Sequence, residues 1–194
     1  MYVRDAKNRD EAWLLDHIEE MGLDDAAFRS RDYVIAVDEE TDERAGFGRI
    51  RIHKPDDGDC CELTGIGVLE AWRGQGVGAH VVERLVEKAG DEGFETAYSL
   101  TGEHGYLAQF GFEAVETDAL PEKLRERLER KRETIDPDAV GMAIAVSDFE
   151  MPRRLRERFK TAMAVDEGAD EPVESPEDFG IDPESATYKY DTGR

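Results

Sequence analysis

The sequence predicts an α+β fold, on three observations. Its first half alternates short strand patterns with polar turns, as hairpins do, whereas its second half runs strand, helix, strand. A glycine-rich segment, Arg73-Gly-Gln-Gly-Val-Gly78, falls between a strand pattern and a helix pattern. The composition then shifts near Asp148, marking a domain over residues 1–148 and an extension over 149–194.

Residues 2–6 open as a short strand. Asn8 and Glu11 have capping-box spacing before a helix that carries Leu14, Ile18 and Met21 on one face. Residues 24–30 read as a short second helix. Strand patterns at 33–38 and 44–54 flank an acidic turn, and the second alternates through Phe47, Arg49, Ile50, Arg51 and Ile52 as a half-exposed strand does. A loop leads to the strand 61–68. The glycine segment follows, then a helix over 77–90 with Val81, Val82, Leu85, Val86 and Ala89 on one face. A strand at 96–100, a short helix ending at Gly111 and a strand at 113–116 come next. Pro121 starts a helix running to 133, and residues 139–146 form the last strand.

Composition narrows the function. There are 47 acidic residues against 25 basic ones, a net charge of −22. Such a surface repels phosphate backbones, so no nucleic-acid partner is expected. Only seven of the basic residues are lysine, and an acidic, lysine-poor surface suggests a halophile-like protein adapted to a high-salt cytoplasm. No apolar run approaches the roughly 18 residues that span a bilayer, and the N-terminus lacks a signal-peptide layout. A soluble, cytoplasmic protein without a membrane partner is expected. Cys60 and Cys61 are adjacent and alone, which excludes a disulfide framework. His17, His53, His80 and His104 show no ligand spacing with cysteine, so no metal is expected.

Glycines at a helix start leave room for an anion to meet unpaired amides and the positive end of the helix dipole. A P-loop is excluded, because no lysine and hydroxyl pair follows Gly78. Gly74, Gly76 and Ala79 meet the Rossmann pattern literally. However, Leu69 to Arg73 separate them from the strand, where that fold needs a tight turn.

Arg73-Gly-Gln-Gly76-Val-Gly78 is R-x-x-G-x-G, preceded by a strand that ends at Val68 and followed in order by helix, strand, short helix and Phe110-Gly-Phe112. The ordered set resembles the acetyl-CoA-binding core of the GNAT (Gcn-five-related) N-acetyltransferases over residues 2–148, most strongly from Glu62 to Phe112. The resemblance implies a mixed, mostly antiparallel central sheet flanked by helices, with a splayed strand pair holding acetyl-CoA as co-substrate. Amides of Gln75, Gly76, Val77, Gly78 and Ala79 would hold the pyrophosphate, with Gly74 in the same loop and Arg73 shaping it. Main-chain groups of Ile66, Gly67 and Val68 would pair with the pantetheine arm, and the Val68 amide would polarise the thioester carbonyl. Gly65 and Gly67 serve either a strand bulge or close packing.

Acetyl transfer to an amine requires removal of a proton from the ammonium form. Glu62, six residues before Val68, matches the spacing of a general base in several branches of the family. Strand alternation places it on one side with Thr64, Ile66 and Val68. The competing role for Glu62 is a solvent-facing strand residue. Many family members place a tyrosine acid four residues before the glycine of "GF". That position is Leu107 here, and Tyr106 is one step earlier, about 100° around a helix. Tyr106 is therefore a candidate acid with core packing as its competing role, and Thr101 and His104 are weaker candidates.

The segment from Gly105 to Arg127, with residues 139–146, resembles the acetyltransferase module of N-acetylglutamate synthases and related amino-acid N-acetyltransferases. The expected reaction moves an acetyl group to a primary amine of an amino acid or other small molecule, with Arg49 and Arg51 as candidate partners for a carboxylate. A protein or peptide lysine acetyltransferase and a non-catalytic acyl-CoA-binding regulatory module are the alternatives. In the extension, Leu155, Phe159 and Met163 lie at i, i+4, i+8, with Arg153, Arg154, Arg156 and Arg158 behind them. That stripe packs either on the domain or on a second copy, as in a homodimer. Its arginines face solvent, an acidic surface or the CoA phosphates. The acidic, proline-containing run 165–180 is expected to be disordered.

Overall fold

The structure is a computed structural model that describes residues 1–24, 26–54 and 58–165. The strands are β1 (Tyr2–Asp5), β2 (Tyr33–Val37), β3 (Arg44–His53), β4 (Cys60–Val68), β5 (Thr96–Thr101), β6 (Glu113–Val115) and β7 (Val140–Ala145). They form one sheet in the order β1-β2-β3-β4-β5-β7-β6. Every neighbouring pair is antiparallel except β4 and β5, which run parallel. The parallel pair needs a crossover, and α2 (Val77–Asp91) supplies it. The fold is the mixed, mostly antiparallel α+β sheet flanked by helices that the sequence predicts.

Two faces of the sheet are buried by different helices. Val81, Val82 and Leu85 of α2 pack on Ile50, Cys61, Leu63, Ala97 and Met142, all nearly inaccessible. On the other side α1 (Glu11–Glu20) sets Leu14 and Ile18 against Tyr33, Ile35, Val37 and Phe47. A third cluster joins Leu124 and Leu128 of α4 (Glu122–Thr134) to Cys60, Leu100, Leu120 and Ala139. At about 25 cal/mol per Å² of apolar surface removed from water, such clusters are the main stabilising term.

Two local expectations change. The cap before α1 is Asp10 rather than Asn8 or Glu11. Its carboxylate accepts the Lys7 amide at 2.8 Å and pairs with Arg4 and Arg44 while fully buried. Residues 24–29 form no helix among those described, and only a 3-10 turn begins, at Ser30. The Asp24 carboxylate accepts the Ala26 amide at 2.8 Å, a local bond that competes with helical pairing.

Residues Met1–Ala164 form one compact unit, which includes α3 (His104–Ala108) and the extension helix α5 (Arg153–Lys160). Leu155 and Phe159 are buried in the α2 cluster, whereas Met163 is exposed. The stripe therefore packs on the domain itself. The expectation of disorder in the acidic run concerns residues that, beyond Val165, lie outside those described.

Candidate active site

The site begins where β4 leaves β5. Their ladder comprises Cys61–Ala97 and Glu62–Tyr98, and β4 then continues to Val68 with no further β5 pairing. On its other side β4 stays paired with β3, through a bulge: Phe47 faces Gly67 and Arg49 faces Thr64. Gly65 sits in that bulge at φ +58, a conformation that glycine adopts without a Cβ penalty. Gly67 has the other role, since a Cβ there would come within 2.6 Å of Met21 Sδ and 2.9 Å of the Phe47 ring. Each glycine thus serves one of the two functions weighed from sequence.

The bulge also overturns the simple alternation. One extra residue reverses the facing of everything after it. Cys61 and Leu63 pack on the α2 side, and so do Ile66 and Val68 beyond the bulge. Glu62 faces the opposite side, toward α4. The gap between β4 and β5 therefore has Val68 on one face and Glu62 on the other.

On the α2 face, the loop from Arg73 to Gly78 is built from left-handed glycines, with Gly74 at φ +71 and Gly76 at φ +79 as the residue before the helix. Arg73 Nε donates to the Val68 carbonyl at 3.3 Å, tying loop to strand end. The Gly76 carbonyl accepts the His80 amide and His80 Nδ1–H. The amides of Val77, Gly78 and Ala79 precede the first intrahelical bond, so they have no acceptor within their own helix. Tyr106 stands beside this loop. A Cβ on Gly78 would lie 3.1 Å from its hydroxyl and 3.3 Å from Val68 Cγ2. Leu107, at the family's tyrosine position, is buried in the core instead, so the one-residue offset turns Tyr106 to the opening. Its surroundings push the hydroxyl up to about 12, by burial against the nearby charge of Arg154, so it stays a donor at working pH.

On the opposite face lies a charged cluster that the sequence shows only in part. Glu62 is 2% exposed. Its Oε2 accepts His53 Nε2 at 2.7 Å and Arg127 Nε at 2.8 Å, and Arg127 Nη2 reaches Oε1 at 3.3 Å. Burial alone would raise the Glu62 carboxyl. The hydrogen bond from His53 and the charge of Arg127 outweigh it and hold the group below the usual carboxylate range. Asp24 Oδ2 gathers three guanidinium groups, with Arg51 at 2.9 Å, Arg127 at 3.6 Å and Arg49 at 4.0 Å. Arg49 is itself buried. Its Nη2 donates to the Ala26 carbonyl at 3.2 Å, while its Nε has no partner among the described residues. Thr101 and His104 engage local groups, the Glu103 amide and the Gly102 carbonyl. Cys60 and Cys61 are buried in the core without a disulfide, and burial pushes the Cys61 thiol up to about 12.

Sequence reasoning missed His53, Asp24 and Arg127 as members of this cluster. Arg127 lies on α4, 65 residues from Glu62, and no local spacing announces that contact. His53 lies two pairs along the β3–β4 ladder from Arg51–Glu62, and strand alternation puts it on the same face as Arg51.

No helix of the described residues is long and apolar enough to cross a membrane. A search of the curated proteins finds no match. Among solved structures, N-acetylglutamate synthase from Neisseria gonorrhoeae, complexed with coenzyme A and N-acetyl-glutamate, superposes with a TM-score of 0.58 at 19% identity, over 74% of this chain and 34% of that one. The chain thus spans about a third of that synthase. Rv2747 from Mycobacterium tuberculosis, in complex with CoA and NLQ, matches with a TM-score of 0.57 at 18% identity, over 75% of this chain and 99% of that one. A GNAT-family acetyltransferase from Staphylococcus aureus Mu50 matches with 0.54 at 12% identity, over 74% and 98%. These likenesses establish the fold. The model of the acetyltransferase (GNAT) family matches residues 3–112, more than half of the sequence and the stretch that holds both the open strand pair and the glycine loop, so the chain belongs to the GNAT family.

Proposed function

We propose that the protein transfers the acetyl group of acetyl-CoA to the amino group of a small molecule that also bears a carboxylate, an amino acid being the simplest such acceptor. The observation that carries the acceptor class is the convergence of Arg49, Arg51 and Arg127 on Asp24 at the open strand pair. Three guanidinium groups face two carboxylates, Asp24 and Glu62, in a chain whose net charge is −22. A local excess of cation in so acidic a protein favours an anionic ligand. Arg49 also has a buried Nε in need of an acceptor. The two solved structures described with coenzyme A and an acyl amino acid or NLQ are consistent with that class.

The residues fit the cofactor. The β5-facing edge of β4 beyond Glu62 has main-chain groups without a ladder, as an extended pantetheine arm requires. The amides at the start of α2 have no acceptor in their own helix, as a diphosphate requires. Acetyl-CoA supplies a thioester, whose carbonyl carbon the amine attacks and whose thiol departs. Gln75, Gly76, Val77, Gly78 and Ala79 would hold the diphosphate through their amides, and Gly74 would let the loop turn. Ile66, Gly67 and Val68 would align the arm, with the Val68 amide directed at the carbonyl oxygen.

On the far face the proton of the ammonium group leaves through the Glu62–His53 pair. Imidazole is the commonest general base in proteins, and a carboxylate behind it fixes its orientation and the charge it acquires. Glu62 alone, held below the usual range by Arg127 and His53, is poorly matched to an ammonium proton. Tyr106 donates a hydrogen bond toward the departing sulfur from beside Gly78 and Val68.

The test compares amino acids with their α-amides as acceptors in a thiol-release assay at molar salt. The acids should react at least tenfold faster, and Arg49→Ala should remove most of that preference. Equal rates for acid and amide would leave the transferase intact and the carboxylate site refuted.

A further inference from the structure

The extension helix α5 lies outside the region matched by the family model. Six of its contacts place it, and five of these touch the glycine loop or the helix that follows. Phe159 stacks on His80, with ring centroids 3.8 Å apart at 10°. Arg156 pairs with Glu83 at 2.7 Å. The Gln75 side chain clamps the main chain of Met163, donating to its carbonyl at 2.8 Å and accepting its amide at 3.0 Å. Arg158 Nη1 donates to the Gly74 carbonyl at 3.3 Å. The Leu155 carbonyl rests against the open side of Gly76, where a Cβ would collide with it. The sixth contact, from Arg154 to Gln109 Oε1 at 2.7 Å, ties α5 to the end of α3, and the charge of Arg154 is felt at Tyr106.

None of these contacts uses an amide of the loop. The helix meets the Gly74 carbonyl, the Gln75 side chain and the Cα side of Gly76, and among the described residues no α5 group accepts a hydrogen bond from the amides of residues 74–79. A plug would satisfy those amides, whereas a brace leaves them. Arg154 and Arg158 are four apart, so they share one edge of α5, about 6 Å from each other along the axis. One stands at Gly74, at the start of the loop. The other bonds Gln109, whose side chain donates to the Tyr106 carbonyl at 2.8 Å, and the Tyr106 hydroxyl borders Gly78 at the loop's end.

We propose, resting on the acetyl-CoA reading above, that α5 is part of the cofactor site, and that Arg154 and Arg158 bracket the start of α2 to hold the CoA diphosphate. The acidic chain supplies its polyanionic co-substrate with cations from this added helix. Guanidinium is suited to that task, because its planar fork binds phosphate oxygens in pairs and keeps its charge.

The experiment is isothermal titration calorimetry of the full chain at fixed high salt, with CoA, dephospho-CoA (which lacks the 3′-phosphate) and pantetheine. The variants are Arg154→Ala/Arg158→Ala and Arg153→Ala, the latter an exposed arginine of the same helix as a control. The double variant should weaken CoA and dephospho-CoA equally, by about tenfold or more, and leave pantetheine unchanged. Arg153→Ala should match wild type. Unchanged CoA affinity in the double variant overturns the proposal, and so does a loss seen with CoA but not with dephospho-CoA. A double variant that binds CoA more tightly than wild type would make α5 a plug and overturn it as well. Failure of wild type to bind CoA at all would instead remove the cofactor reading on which the proposal rests.

Discussion

Nε2 of His53 lies 2.7 Å from Oε2 of Glu62, a buried pair joined across the β3–β4 ladder at the point where β4 parts from β5. Arg127 bonds the same carboxylate from α4. The hydrogen bond from His53 and the charge of Arg127 together hold the Glu62 carboxyl below the usual range, beside the point where the β4–β5 ladder ends.

Removal of either member should impair the chemistry more than cofactor binding. Glu62→Gln and His53→Asn are each expected to lower kcat by about 10²-fold or more, the usual contribution of a positioned acid or base, with acetyl-CoA affinity within a factor of about three. A loss of acetyl-CoA affinity as large as the loss of kcat would assign the pair to packing.

Asp10 gives a pH prediction with a definite sign. Burial alone would raise its carboxyl, but the hydrogen bonds from Arg4, the Lys7 amide and Arg44 outweigh that and hold it well below the usual range. Glu62 is shifted in the same direction. A folded-state value below the unfolded one stabilises the fold above the unfolded pKa, near 4, and that stabilisation is lost as pH falls further toward the folded value. The melting temperature should thus be level from neutrality to about pH 5 and fall below about pH 4. Asp10→Ala should cost about 3 kcal/mol at neutral pH, because it strands Arg4 and Arg44, and should flatten the acid limb in a melting series.

Gly76→Ala should act twice. The φ of +79 strains any L side chain, and the added Cβ meets the Leu155 carbonyl, which is backbone and cannot step aside. A stability loss of about 1–3 kcal/mol is expected, with weakened CoA binding in the same variant. Gly74→Ala has the strain without the collision, since nothing lies within 4 Å of its Cβ. It should lose less, as chemical denaturation would reveal.

The cysteines should be inert. Cys61 is fully buried with its thiol pushed up to about 12, so little thiolate exists near neutrality. Iodoacetamide at pH 8 should label neither Cys60 nor Cys61 in the native protein and both after denaturation, read by intact mass.

The net charge of −22 makes self-repulsion a large, screenable term. The melting temperature should rise between low and molar salt. A flat response would remove the high-salt habitat suggested by the composition.

What the sequence made legible was local. The strand ending at Val68, the glycine loop, α2 and the Phe110-Gly-Phe112 turn are contiguous, and the family resemblance that their order carries implied both the splayed strand pair and the cofactor loop. Three features depended on distant chain. The bulge at Gly65 reversed the facing of Ile66 and Val68 relative to Glu62, and strict alternation cannot register one extra residue. Arg127 reaches Glu62 because α4 folds back over the sheet. The docking of α5 depends on the flat, Cβ-free side of Gly76, and the Leu155–Phe159 stripe could as well have sought a second copy.

The most direct test of acetyl transfer at this site is thiol release from acetyl-CoA at molar salt, run with free amino acids, polyamines and lysine peptides, for wild type beside Glu62→Gln. Release with amino acids that falls about 10²-fold in Glu62→Gln is the predicted result. Acetyl-CoA binding without release for every amine, or release that Glu62→Gln leaves unchanged, would contradict it.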